Sequence, residues 1–345
     1  MHGHPILHLQ KVAGIAGSET HLLSLLPRLR ERGWNVRMLM LHEHEPGAWD
    51  FARELRAREV PLDAIPLRAD VDPFAFLRLT AYLTRHRPAL LHTHLVHADI
   101  YGQLAGTLAR VPVRFSTKHG FNEFREGRGF ALADRAVGSL AHAHIAVSRG
   151  LARYLAEKEG FAEEGFEIVH YGIAADGAVS PYDGPPRLVT VGRLIPIKGH
   201  IVLFRAFAEA LEQVPELELR VAGWGPLEPA LRALARGLGL ERRIDFLGHV
   251  VPIRRALEAM ERARPVIAAA TGGLVDVVRD GETGLLVPPG EVEPLARAMV
   301  ELASNPARAT RLGEAGRRRA LSWFFEARSV DRLEILYQSF LDRPG

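Results

Sequence analysis

The sequence predicts an α/β protein built from two Rossmann-like, doubly wound domains. Three observations carry this expectation. The chain has 345 residues, too long for one ordinary domain and enough for two. Short apolar runs alternate with amphipathic stretches along its length, the pattern of a parallel sheet with helical crossovers. A Gly/Pro/Asp-rich stretch, 172–186, separates one such series from a second. The expected division is an N-terminal domain over 1–171, a linker over 172–186, a C-terminal domain over 187–322 and a final helix over 323–345.

In the first series the apolar runs at 6–12, 36–41, 90–94, 113–118 and 144–147 read as strands, with helices at 19–32, 74–85 and 98–109. Pro27 falls inside the first helix pattern and, lacking an N–H, predicts a kink or a shifted start. In the second series strands are expected at 188–191, 217–222, 244–247, 265–269 and 285–287, with helices at 200–213 and 226–237. Helical sequence at 291–303, 306–322 and 330–341 closes the chain. Open α/β sheets bind ligands at the carboxyl ends of their strands, so two such domains facing each other predict a cleft there.

Composition narrows the function. There is no cysteine, which rules out disulfides and thiolate metal sites. No apolar run approaches the ~18 residues of a spanning helix, and no basic start leads into an apolar stretch, so the reading is a cytoplasmic protein. Net charge is +3, aromatics are 7% and arginine is spread along the helices. That is no nucleic-acid reader, in which basic residues cluster with aromatics.

The first strand runs into Gly14-Ile-Ala-Gly17-Ser-Glu19 and a helix, a turn at which backbone can approach an anion. It is not the G-x-G-x-x-G fingerprint of a dinucleotide enzyme. A stronger signal follows strand 188–191, where Gly192-Arg193 and Lys198-Gly199 bracket a loop that opens a helix. Lysine occurs only at 11, 118, 158 and 198, which sets Lys198 apart from an ordinary solvated lysine. Together the two cations offer a planar fork and a point charge to a diphosphate. His119, in Thr117-Lys-His-Gly120 after a strand, can hydrogen-bond a sugar hydroxyl or move a proton, although packing alone also accounts for many of the 16 histidines. His92 and His94 share a strand face at the spacing of a metal pair, but sequence shows no third ligand. His94 is the cleft-facing candidate and His92 the structural one. Asp70-Val-Asp72 matches a metal-binding D-x-D, but Pro73 follows and a helix begins, so Asp72 reads as an N-cap and no metal is expected. Ser148 reads as a cap in the same way.

Taken together, Gly192-Arg193 with Lys198-Gly199, Val221-Ala-Gly-Trp-Gly-Pro226, Phe246-Leu-Gly-His-Val250, Asp280-Gly-Glu-Thr-Gly284 and Tyr171-Gly-Ile173 occur in the order of the family 4 glycosyltransferases, which the chain resembles over nearly its whole length. The resemblance implies the GT-B fold, with the C-terminal helix returning to the first domain. It implies transfer of a sugar, with retention, from a UDP- or GDP-linked donor to a glycan, lipid or small-molecule hydroxyl. No cofactor and no metal are implied, and a peripheral position at the inner face of the membrane is compatible. By residue, Arg193 and Lys198 would hold the donor diphosphate and Gly17 would let the first loop close on it. Val250 would meet the base through its backbone, Glu258 the ribose, and His119 would lie beside the transferred sugar. His94 stands as the acceptor-side candidate.

The sequence departs from the family before Glu258. Where the family carries an acid eight residues earlier this chain has Val250, and a strand and a sugar-binding turn are absent between them. Two outcomes are expected. Residues 251–263 form one helix, and strand 265–269, which must move over or leave the sheet split because unpaired strand backbone in a core is costly, moves beside 188–191. The shortened segment also keeps a second reading open, a non-catalytic binding or scaffold relative. A sugar-nucleotide epimerase is a third, disfavoured by the fit of 192–199.

Overall fold

The computed structural model describes residues 2–120, 134–172, 179, 184–248 and 256–342. The chain divides into two units, Met1–Gly172 with Glu326–Gly345, and Ile173–Phe325.

Unit 1 is a seven-stranded sheet ordered β3-β2-β1-β4-β5-β6-β7. Its strands are β1 (His2–Lys11), β2 (Trp34–His42), β3 (Leu62–Pro66), β4 (Leu90–His94), β5 (Val113–Lys118), β6 (Ala143–Ala146) and β7 (Phe166–Ile168), every neighbouring pair parallel. The helices α1 (Gly17–Glu31), α2 (Pro46–Ala57), α3 (Pro73–His86), α4 (Leu95–Leu108) and α5 (Arg149–Glu159) run between strands. The last helix of the chain, here numbered α12 (Glu326–Leu341), belongs to this unit. Its Glu334 accepts from Trp34 Nε1 at 2.8 Å and from Arg32 at 2.7 Å.

Pro27 neither ends α1 nor moves its start beyond Gly17. The carbonyl its missing N–H would have met, that of Leu23, accepts instead from the Arg58 guanidinium at 2.7 Å. A neighbouring side chain thus supplies the donor that proline lacks. Asp72 caps α3, its carboxylate accepting from Phe74 N at 2.9 Å, Ala75 N at 3.1 Å and Arg68 N at 2.9 Å. Asp70 pairs with Lys11 at 2.8 Å and His97 at 3.0 Å, so the D-x-D is committed to structure. Ser148 caps α5 through Leu151 N at 3.1 Å.

Register explains how the sheet places chemistry. Side chains alternate between faces, so β1 sends Ile6, His8 and Gln10 one way and Leu7 and Leu9 the other. On the face towards α1 and α12, Ile6, Leu90 and Val113 share one row, His8, His92 and Phe115 the next, and Gln10, His94 and Thr117 the third. That face is apolar at the amino ends of the strands and polar at their carboxyl ends, all under cover.

Unit 2 holds β8 (Arg187–Val191), β9 (Glu218–Ala222) and β10 (Ile244–Gly248) in one parallel sheet ordered β10-β9-β8. A second, two-stranded sheet pairs β11 (Ile267–Ala269) with β12 (Leu285–Val287). Its helices are α6 (His200–Gln213), α7 (Glu228–Gly237), α8 (Ala256–Glu261), α9 (Leu274–Val277), α10 (Val292–Ser304) and α11 (Pro306–Trp323). The expected move of strand 265–269 beside β8 is not found: its residues 267–269 pair with β12, and the sheet is split. Among the described residues β8 has β9 as its one strand partner. The expected helix over 251–263 is described only as α8, residues 251–255 lying outside the described residues; it ends at Glu261, and Ala263 turns to φ 55°. Its Met260 is fully buried against Ala268, Val278 and Ala320, the small core that anchors the detached pair.

Candidate functional site

In unit 2 the candidate anion site is built by backbone approach. The loop after β8 is laced to the loop after β9, with Gly192 N donating to Ala222 O at 3.0 Å and Leu194 N to Trp224 O at 2.9 Å. A Cβ on Gly223 would lie 1.8 Å from Gly192 O, and one on Gly225 2.6 Å from Leu194 O, which is why both positions need glycine. A 3₁₀ turn, Pro196–Lys198, then leads to Gly199 at φ 68°, the N-cap of α6. Arg193 and Lys198 are both exposed in this fixed loop, at a helix N-terminus whose unpaired N–H groups carry partial positive charge. His200, the first residue of the helix, is buried with neither ring nitrogen bonded to protein; burial, then the Lys198 charge, lowers its pKa and keeps it neutral.

Val250 lies outside the described residues. Glu258 is carried on α8, and its side chain is outside the described ones. Gly17 is the first residue of α1. The turn before it is braced by Glu19, which accepts from Ala16 N at 3.0 Å and from Gln10; burial raises the Glu19 pKa.

In unit 1 the structure brings His94 and His119 together and adds residues that sequence did not suggest. His119 Nε2 meets His94 Nδ1 at 2.9 Å, and His119 Nδ1 meets the Tyr171 hydroxyl at 2.7 Å. His94 Nε2 meets His8 Nδ1 at 2.9 Å. His94 therefore departs from its expected role facing an acceptor: it is 1% exposed, with both ring nitrogens spent on other histidines. His92 is internal, between the Tyr337 hydroxyl at 2.7 Å and Thr117 Oγ1 at 2.6 Å. His119 itself is half-buried beside His21, which stacks on Tyr171 with ring centroids 4.5 Å apart. Burial, with smaller contributions from neighbouring imidazoles, holds His92 and His94 well below the usual histidine range, and burial then His21 does so for His119. His8 falls to about 3 and His21 to about 4 for the same leading reason. The cluster is neutral, because a buried imidazole resists charging.

Behind it, on the other face of the sheet, Lys118 Nζ is fully buried between Asp99 at 2.8 Å and Asp134 at 3.1 Å. Asp99 also accepts from Thr93, which Gln103 bonds in turn at 2.8 Å. This network pins the end of β5, and with it the residue after Lys118, His119. The signal for it in the sequence was the rarity of lysine, which marked Lys198 but applied equally to Lys118.

Two units of parallel α/β sheet are the architecture of the GT-B glycosyltransferases. The family described as Glycosyltransferase Family 4 matches residues 15–176, and Glycosyl transferases group 1 matches 185–257 and 254–319. The chain belongs to the family 4 glycosyltransferases. It is 32% identical over 270 residues to the D-inositol 3-phosphate glycosyltransferase of Nocardia farcinica, covering 66% of this chain and 56% of that one. It is 30% identical over 181 residues to the GDP-mannose-dependent alpha-(1-6)-phosphatidylinositol monomannoside mannosyltransferase of Mycolicibacterium smegmatis, covering 44% and 47%. The chain spans about half the length of such curated relatives. In fold it is similar to HepE of Anabaena, solved in complex with UDP (TM-score 0.81, 19% identity, 97% of this chain and 100% of that one). No helix among the described residues is long and apolar enough to cross a membrane.

Proposed function

We propose that this chain moves a hexosyl group, with retention and without a divalent metal, from a UDP- or GDP-linked donor to a hydroxyl on a glycan, lipid or small molecule. The observation that carries the reading is the β8–α6 loop, where Arg193 and Lys198 sit in backbone fixed against Gly223 and Gly225 at a helix N-terminus. Fixed positive charge of this kind stabilises a diphosphate as it leaves, the task a metal performs elsewhere. The D-x-D carboxylates are engaged with a helix cap, Lys11 and His97, which supports a metal-free reading. One relative is named for GDP-mannose, and HepE was solved with UDP-glucose, so both bases fit the family. A lipid-borne acceptor would suit a peripheral position at the inner face of a membrane. His119, with Tyr171, is the group assigned to the transferred sugar.

The test is a thermal shift with UDP and GDP in EDTA, followed by NMR of the product formed from the donor that binds. A shift without metal and a product of unchanged anomeric configuration are expected. A shift that needs magnesium or manganese would remove the metal-free claim. One observation favours the second reading, a binding protein without turnover: the split sheet of unit 2. Tight diphosphate binding with neither transfer nor donor hydrolysis would select it.

A further inference from the structure

Six contacts link seven side chains of unit 1 into one unbranched chain. It runs from the Tyr171 hydroxyl to His119 Nδ1 (2.7 Å), from His119 Nε2 to His94 Nδ1 (2.9 Å) and from His94 Nε2 to His8 Nδ1 (2.9 Å). It continues from His8 Nε2 to the Tyr337 hydroxyl (3.2 Å), from there to His92 Nδ1 (2.7 Å), and from His92 Nε2 to Thr117 Oγ1 (2.6 Å). Every imidazole spends both nitrogens inside the chain. His8, His92, His94 and Tyr337 are each no more than 1% exposed, so water does not substitute for a lost partner.

A neutral imidazole carries one N–H and one lone pair. Two N–H groups, or two lone pairs, facing each other forfeit the bond, so the tautomer of one ring dictates that of the next. Three arrangements satisfy all six contacts, and two of them also leave no buried donor unpaired. In one, every histidine carries its proton on Nε2 and donates towards Thr117. In the other, every proton is on Nδ1 and all donors reverse, the hydroxyls rotating to suit. An arrangement in which Tyr337 accepts from both rings leaves its own buried hydroxyl proton without an acceptor, which is costly. The chain ends on Thr117, a hydroxyl that can reverse but cannot keep an extra proton. It therefore transmits orientation and not charge.

We propose that His8, His92, His94 and Tyr337 are positioning residues that fix which nitrogen of His119 bears its proton, and so whether the Tyr171 hydroxyl at the half-buried end of the chain donates to His119 Nδ1 or accepts from it. The order itself is a property of unit 1; its consequence for turnover rests on the reading that places His119 at the sugar. A neutral hydroxyl held in either polarity without a change of charge suits recognition of a sugar hydroxyl, which is both donor and acceptor. His8, His92 and His94 also bring one nitrogen each within 4.8 Å of one another, as a divalent-cation site would. The observed contacts favour the chain, because the same nitrogens are occupied by ring-to-ring and ring-to-hydroxyl bonds.

The experiment is long-range ¹H–¹⁵N NMR of the full chain labelled at histidine, which reads the tautomer of each ring. The expected result is one shared tautomer at His8, His92, His94 and His119. Tyr337→Phe keeps the ring packing but cuts the chain, and should uncouple His92 from the other three and shift or split the His119 signals. Thr117→Val should perturb His119 through the whole chain, with Thr117→Ser restoring it; this pair keeps the test intact if Tyr337→Phe fails to fold. Mixed tautomers in the parent would overturn the proposal, as would His119 signals indifferent to both cuts. One equivalent of Co²⁺ producing tetrahedral absorption and broadening His8, His92 and His94 would reassign them as metal ligands and overturn it too. Ordered tautomers in a protein that transfers no sugar would defeat the transferase reading and leave this one standing.

Discussion

β1 and β8 are the first strands of their units, and each runs into a glycine-bearing turn and a helix, yet their surroundings are opposite. β1 is bonded on both edges, to β2 and β4, and its Leu7 and Leu9 are 3% and 0% exposed. β8 is bonded to β9, and its Val189 is 60% exposed. The same local pattern thus yields an interior strand in one unit and a half-covered one in the other. What differs is the neighbour: among the described residues no strand lies on the other flank of β8, and β11 pairs with β12. A parallel sheet is stable when both its faces are covered, and an interior strand is paired on both edges. β1 meets that condition in unit 1, where the histidines of its sheet bond one another under cover, whereas β8 in unit 2 leads into a loop whose Arg193 and Lys198 are exposed.

The comparison is tested most severely at Lys118. Replacing it by methionine leaves Asp99 and Asp134 buried without their cation, at an expected loss of about 3–5 kcal/mol. The readout is urea unfolding of unit 1 in a background where Trp34, which is 3% exposed, is the sole tryptophan; Trp49, Trp224 and Trp323 are all exposed and replaceable by phenylalanine. A loss below about 1 kcal/mol would mean that the triad is solvated. Next, Leu9→Ala should cost about 2–5 kcal/mol through the cavity it opens, and Val189→Ala no more than about 0.5 kcal/mol. Equal costs, measured by hydrogen exchange resolved over each unit, would show that β8 is covered in solution.

Acid should also separate the two units. The unfolded chain protonates its histidines near 6.5, whereas folded His8 and His21 hold out to about 3 and about 4, and His92, His94 and His119 are lowered as well. Between those values the unfolded state binds more protons, so stability is full above pH 6.5 and falls as pH drops through that window. Glu19, raised by burial, acts in the opposite sense just above its unfolded value of 4.5. Trp34 fluorescence should report a urea midpoint for unit 1 that declines from pH 7 to 5. A flat profile would mean that the cluster is charged or wet in the folded state. The smallest effect on folding is expected at Arg193→Ala and Lys198→Ala, within about 0.5 kcal/mol of the parent, because exposed loop positions open no cavity. Each should nevertheless weaken nucleoside diphosphate binding about tenfold or more, the worth of a charge-assisted contact. Calorimetric affinities equal to the parent's would take both out of the site.

Much of the architecture was legible because α/β periodicity is local. Helix 200–213 and strands 90–94, 113–118 and 285–287 fall where the pattern put them. β3 and β7 were missed, being short strands at the sheet edges, and β3 ends on Pro66. At the site, Arg193 and Lys198 stand out by type and spacing alone. His8 does not, since a single histidine in an apolar strand gains meaning only when register sets it beside His92. Tyr337 lies 245 residues beyond His92, and nothing local in either segment marks the pair. The partners of Lys118 were hidden for the same reason: Asp99 lies on a helix, 19 residues before it, and Asp134 16 residues beyond it. Long-range pairing chose among readings that local pattern left open.

The placement of α12 has a consequence for biosynthesis. Unit 2 interrupts unit 1 in the chain, so at about 5–20 residues per second all of it is made between the seventh strand and the helix that covers the first sheet. Until α12 emerges, Trp34 lacks its Glu334 acceptor, and His8 and His92 lack the hydroxyl of Tyr337. The nascent N-terminal half must therefore wait on the ribosome with the polar interior of its sheet unsealed, while the half that follows can finish folding first.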